Sequence, residues 1–148
     1  MSDNIGRLDA TLPALTVKAY GYCEEQLMER KPLELTDKEA YLDYLKSIAE
    51  RYPFLAVMGL RVLSEITIRE MLRQSKRAKF HNDRCSFNDL ILELQSIRSL
   101  HTSQIEGLRI YRQFENMASH GNEVSVETAQ WALEAIPAIL NEIKAKPL

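Results

Sequence analysis

The sequence predicts an all-α protein, a helical bundle of about five to six helices. Glycine and proline are scarce, at five each among 148 residues, so the chain has few of the residues that interrupt helices. Apolar residues recur at spacings of three and four, which is typical of a buried helix face, and few segments alternate with the period of two that strands show. This length is sufficient for a single domain, residues 1–148, with a sizeable core.

The N-terminal half of the chain predicts three helices. The first covers about 12–29. Thr36-Asp-Lys-Glu39 fits a capping box, in which Thr36 accepts from the amide of Glu39, and it opens a short helix as far as about Arg51. Pro53 suits the first turn of the next helix, about 54–74. Apolar residues are distributed all around this third helix, which predicts that it lies at the centre of the bundle.

The C-terminal half predicts three more helical segments. Ser86-Phe-Asn-Asp89 starts one of them, and a break near 99–103 separates it from a helix over about 103–119. Ser125 caps the last helix, about 126–144, where Trp131 is expected to face inward with Ala135, Ile136, Ile139 and Leu140. Pro137 lies inside this helix and should bend it or end a segment.

The overall charge excludes a protein that binds nucleic acid through a general basic field. The net charge is −2 and the pI is about 6.0, so any RNA contact needs a local patch. Basic residues cluster around the end of the third predicted helix and in the loop after it: Arg69, Arg73, Lys76, Arg77 and Lys79. This cluster is either an RNA contact or a solvated helix end, since basic side chains favour the C-terminal turn.

The cysteines and histidines do not form a recognisable metal or disulfide pattern. Cys23 and Cys85 are far apart, and His81 and His101 have no partner at ligand spacing. We therefore expect no metal and no cofactor. The N-terminus does not resemble a signal peptide, and no apolar run is long enough to cross a membrane. These patterns predict a cytoplasmic protein with reduced thiols and no membrane contact.

Asn116 and His120 are the local pair that most suggests chemistry. They are four residues apart, so both point to one side of a helix, about 40° apart around its axis. Gly121 follows directly and is a common helix stop, because glycine takes positive φ without steric cost. His120 is a candidate general acid or base, and Asn116 a candidate phosphate ligand. In the alternative, both residues satisfy free carbonyls at the helix exit.

Arg61 and Glu65 form a second charged pair, at i and i+4 on the central helix. Inside a bundle such a pair requires further polar partners. One interpretation is a buried Glu65 that reaches Asn116 or His120 and orients the polar site. The other is a half-exposed ion pair.

These two motifs together resemble the HEPN superfamily. The segment from Phe54 to Glu65 is similar to the "ArgxxxGlu" helix of HEPN-type proteins, with Arg61 and Glu65 at its charged positions. Glu115-Asn-Met-Ala-Ser-His120-Gly, followed by a final amphipathic helix, resembles the C-terminal half of the same proteins. The resemblance covers about residues 50–145 and is most similar to the HEPN-like bacterial domains of unknown function.

The resemblance implies a small helical bundle that forms a homodimer, with Asn116 and His120 near the dimer axis. Many members of the superfamily are metal-independent ribonucleases in toxin–antitoxin, CRISPR and anti-phage systems. Their motif is Arg, four to six residues, then His, with a polar residue after the Arg. Here the position of that Arg falls on Glu115, which would repel a phosphate; Arg112, or Arg109 further back, is the candidate substitute.

Three functions follow from these observations. The first is a dimeric interaction or RNA-binding module with a degenerate active site. It would bind a partner protein or an RNA in a defence or toxin–antitoxin system. The second is a metal-independent endoribonuclease in which His120 acts as general acid or base, Asn116 positions the phosphate and Arg112 neutralises charge. In the third, the protein is a purely structural helical domain whose polar site only shapes the fold. Arg61, Glu65 and Glu115 are the predicted supporting polar network of the site at Asn116 and His120.

Overall fold

The computed structural model describes residues 33–75 and 85–146 of the chain. Five helices account for 77% of these described residues, which contain no strand, so the predicted all-α class is confirmed. The helix predicted at 12–29 lies outside the described residues. The five are α1 (Lys38–Ile48), α2 (Pro53–Arg73), α3 (Phe87–Ile97), α4 (Thr102–Ser119) and α5 (Val126–Ala145).

The start of α1 differs from the prediction by one residue. Asp37 is the N-cap, and its Oδ1 atom accepts from the amide of Ala40 at 2.9 Å, so Thr36 does not form the predicted capping box. An aspartate caps a helix at least as well as a threonine. The helix also ends at Ile48, three residues before Arg51, with Ala49 as its C-cap.

The starts of the other helices agree closely with the sequence. Pro53 occupies the first turn of α2, where its missing N–H costs nothing. Ser86 and Asp89 form a reciprocal capping box at the start of α3, with both side-chain-to-amide distances at 3.1 Å. Ser125 Oγ accepts from the amide of Thr128 at 3.1 Å and so opens α5. Capping is a local interaction, so local sequence predicts it well.

Helix α2 lies at the centre of the bundle, as its apolar distribution predicts. It contacts each of the other four helices. Its fully buried side chains include Val57, Leu60 and Ile68, and the hydroxyl of Ser64 is buried among them. A helix surrounded by other helices must be apolar over most of its circumference.

Helix α5 narrows one expectation and corrects another. It continues through Pro137 to Ala145, so the proline does not end a segment. Ile136 and Leu140, on either side of it, are buried, and their burial outweighs the hydrogen bond that proline removes. Trp131 is 38% exposed instead of facing inward; the inward positions are Ala129, Ala132, Leu133, Ile136, Leu140 and Ile143. Ala129 and Ala132 were not expected there, because their small side chains give a weak apolar signal.

Candidate functional site

A charged cluster joins α2 to α4. Arg61 Nη1 donates to Glu115 Oε1 at 2.6 Å, and Arg61 Nε donates to Glu65 Oε1 at 3.1 Å. The side chain of Glu115 is only 5% exposed, whereas that of Glu65 is 26% exposed. The structure therefore brings together the three residues that the sequence grouped. Glu115 is the buried carboxylate, and Glu65 contacts Arg61 instead of Asn116 or His120.

Two aromatic side chains enclose this cluster. The Tyr111 hydroxyl donates to the carbonyl oxygen of Val57 at 2.8 Å, and Tyr111 is fully buried. The ring of Phe87 meets that of Tyr111 edge-on, with centroids 6.0 Å apart. Arg61 Cζ lies 5.8 Å from the centroid of Phe87, within the range of a cation–π contact. The guanidinium is therefore held by carboxylates from two helices and by an aromatic face from a third.

The electrostatics of the cluster raise the pKa values of Arg61 and Tyr111. Burial lowers the pKa of Arg61, but hydrogen bonds and charge from Glu115 and Glu65 outweigh this effect and raise it overall. Burial also raises the pKa of the Tyr111 phenol well above its usual range, and the charge of Glu115 adds to the rise. One cation and two carboxylates give the cluster a formal charge of −1. It is therefore poorly suited to bind a phosphate.

Asn116 and His120 lie at the exposed exit of α4. His120 is the C-cap, and Gly121 takes a φ of 75°. The Gly121 amide donates to Ala118 O at 3.1 Å and the Asn122 amide donates to Met117 O at 2.9 Å, the pattern of a Schellman motif. Backbone groups thus close the helix by themselves. Among the described residues, no side-chain hydrogen bond links Asn116 or His120 to the Arg61 cluster.

Arg112 shares the exposed face of Asn116 and His120, since the three residues are spaced by four. Its Nη1 atom donates to Oδ1 of Asn88 on α3. The other candidate, Arg109, is paired with Glu106 on its own helix. Both candidate substitutes for the motif arginine therefore already bind another side chain, Arg112 that of Asn88 on α3 and Arg109 that of Glu106 on α4.

The predicted RNA patch is only partly described by the structure. Arg69 and Arg73 lie in the last turns of α2, and Arg69 Nη2 donates to the carbonyl of Cys85 at 3.3 Å. The remaining three basic residues, Lys76, Arg77 and Lys79, lie outside the described residues. A contiguous basic surface therefore stays a prediction.

An exposed apolar stripe on α2 was not predicted from the sequence. Phe54, Leu55, Met58 and Val62 are 41%, 45%, 39% and 37% exposed. Their numbering places them within about 100° of arc on one side of the helix. The i, i+1, i+4 and i+8 spacing was visible in the sequence. It was hidden by the apolar residues on the remaining faces, because nothing in the sequence tells which apolar face a neighbouring helix covers.

No known family model, curated protein or solved structure matches this chain. In the described part of the chain, no helix is long and apolar enough to span a membrane. Within the same ranges, no group of three His, Cys, Asp or Glu side chains is arranged to hold a metal ion.

Proposed function

We propose that this chain is a HEPN-like interaction module that acts as a homodimer and has lost the ribonuclease activity common in that superfamily. The observation that carries the proposal is the exposed apolar stripe Phe54, Leu55, Met58 and Val62 on the central helix. Contiguous exposed apolar side chains on a soluble domain mark interaction surfaces, because leaving them in water is costly.

The charges around the stripe favour a second copy of this chain as its partner. Arg51 lies in the turn before α2, ahead of the stripe, and Glu65 follows the stripe on the same side of the helix. If two copies of α2 cross antiparallel at Met58, Arg51 meets the partner's Glu65, and Phe54 meets the partner's Val62. A two-fold axis repeats each contact, as an isologous interface requires. Glu65 uses Oε1 to bind Arg61, which leaves Oε2 for Arg51 of the other copy.

The charged cluster supports the loss of catalysis. Cleavage of RNA places negative charge on a phosphate in the transition state, and a nearby cation must stabilise it. Glu115 occupies the position of the motif arginine, and its carboxylate is buried against Arg61. Arg112 is engaged by Asn88. Among the described residues, the cation that shares the face of Asn116 and His120 is therefore already hydrogen-bonded to a neighbouring helix.

We expect the wild-type protein to have a mass in solution of twice 17.0 kDa, and Met58→Asp to shift it to the monomer. In the dimer, the new carboxylate of each protomer would be buried at the centre of the interface, which is unfavourable. Light scattering after size-exclusion chromatography measures this directly. Leu92→Asp is the matched control, since Leu92 on α3 is 53% exposed and lies outside the stripe. A monomeric wild type, or equal effects of both substitutions, would refute the proposed interface.

A second candidate function is the metal-independent ribonuclease, favoured by the exposed alignment of Arg112, Asn116 and His120. We expect no cleavage of a mixed RNA pool without added metal, either by the wild type or by His120→Ala. Circular dichroism of both proteins checks that they are folded. If the wild type cleaves the RNA and His120→Ala does not, the ribonuclease replaces our proposal. Arg112→Ala would then test whether the Arg112 cation contributes to cleavage.

Gel shifts with the same RNA at several salt concentrations test whether the basic patch binds RNA.

A further inference from the structure

We propose that a cleft between α1, α2 and α5 binds a small primary amine with an apolar body. The cleft encloses about 160 Å³. It is lined by Leu42 of α1, by Leu60, Leu63 and Ser64 of α2, and by Leu140 of α5, with polar residues at its rim. An apolar cavity of about 150 Å³ accommodates one benzene molecule, so the ligand body is limited to about a single six-membered ring.

The floor of the cleft combines apolar side chains with a buried hydroxyl. Leu60 and Ser64 are fully buried, and Leu140 is 3% exposed. Apolar pockets that contain a few fixed polar groups are typical of small-molecule sites, since the apolar part gives affinity and the polar part orientation.

The hydroxyls of the cleft are committed as hydrogen-bond acceptors. Ser64 Oγ donates its proton to Leu60 O at 2.8 Å, and Thr67 Oγ1 donates to Leu63 O at 2.9 Å. Each oxygen keeps lone pairs but has no further proton to offer. Lys38 and Asn141 carry N–H donors in the lining, but a ligand that bonds to the Thr67 hydroxyl oxygen must itself supply the donor. An ammonium group supplies three, whereas a carboxylate supplies none.

The charges at the rim favour the same ligand class. Lys38 is paired with Glu70, so its positive charge is already balanced. Glu39, also at the rim, is exposed and leaves a formal charge of −1 among these three groups. A primary amine is protonated at neutral pH and is attracted by this charge, while an anion of the same shape is repelled.

This site is independent of the proposed dimer. Leu60, Ser64 and Thr67 lie on a different side of α2 from Met58, by their positions around the axis. Loss of dimerisation and loss of amine binding are therefore separable outcomes.

The test is calorimetric titration of the full chain with benzylamine, benzyl alcohol and benzoate, which share one ring and differ in charge and donors. We expect benzylamine to bind with a dissociation constant on the order of 1 mM, as suits about eight non-hydrogen atoms. We expect benzyl alcohol to bind about ten-fold more weakly, and benzoate to give no measurable heat. Equal binding of all three, or no binding of benzylamine at 20-fold above about 1 mM, would overturn the proposal.

Variants at the rim and floor separate the cleft from unspecific binding. Thr67→Phe fills the cleft and should abolish benzylamine binding, while the thermal transition shows that the variant is folded. Glu39→Gln should weaken benzylamine about three-fold and leave benzyl alcohol unchanged, because it removes only an exposed charge. Thr67→Val, which removes the partly exposed hydroxyl at nearly constant shape, should weaken both ligands about five-fold. If benzylamine binds Thr67→Phe as well as the wild type, the cleft is not the site.

Discussion

Arg61→Met should lower the free energy of unfolding by about 3 kcal/mol, because it leaves the carboxylate of Glu115 buried without its partner. Glu115 is only 5% exposed, and Arg61 Nη1 is its hydrogen-bond donor at 2.6 Å. Breaking a fully buried pair costs about 3–5 kcal/mol, and the 36% exposure of Arg61 places the expected loss at the lower end. Urea denaturation followed by circular dichroism measures it.

The matched control is the double variant Arg61→Met with Glu115→Leu. Replacing both charges by apolar groups removes the uncompensated carboxylate, so the double variant should recover about 2 kcal/mol relative to Arg61→Met alone. The difference between the summed single losses and the double loss is the coupling energy of the pair. Additive losses would mean that Arg61 stabilises the bundle through its stem and the Phe87 contact, and that the ion pair contributes little.

Arg98→Met should destabilise the protein by about 2 kcal/mol, because Arg98 fastens the end of α3 to the end of α5. Arg98 is 8% exposed, and its Nη1 atom donates to Ile143 O at 2.9 Å and to Lys146 O at 2.7 Å. The last carbonyls of a helix have no partner within it, and a cation near them also interacts favourably with the helix dipole. Within the described residues, Arg98 Nε has no hydrogen-bond partner. This buried N–H group reduces the net free energy by which Arg98 stabilises the fold.

Lys146→Met provides the control for this prediction. Lys146 Nζ donates to Ser99 O at 3.3 Å near the same helix end, but the contact is exposed. Its loss should change the free energy of unfolding by less than about 0.5 kcal/mol. Hydrogen exchange of the α5 amides locates the effect, since Arg98→Met should speed exchange in the last turns of α5 first. Equal stabilities of the two variants would show that the buried guanidinium does not hold α5.

Local sequence was sufficient for most of the helix ends. Ser86 with Asp89, Ser125, Pro53 and Gly121 each act on backbone groups within a few residues, so their effect hardly depends on the rest of the chain. Asp37 in place of Thr36 is an error of one position between two competent caps. Local sequence left open whether Pro137 ends the helix, because the helix around it is held by burial against other helices, which local sequence does not contain.

The candidate site also has some features that the sequence predicted and others that only the structure shows. The sequence alone determined the all-α class, the central position of α2 and the grouping of Arg61, Glu65 and Glu115. Only the tertiary structure decided that Glu115 is the buried carboxylate and that one apolar face of α2 remains exposed. The physical reason is that periodicity shows which residues share a helix face, whereas the rotation of each helix against its neighbours decides which faces are covered.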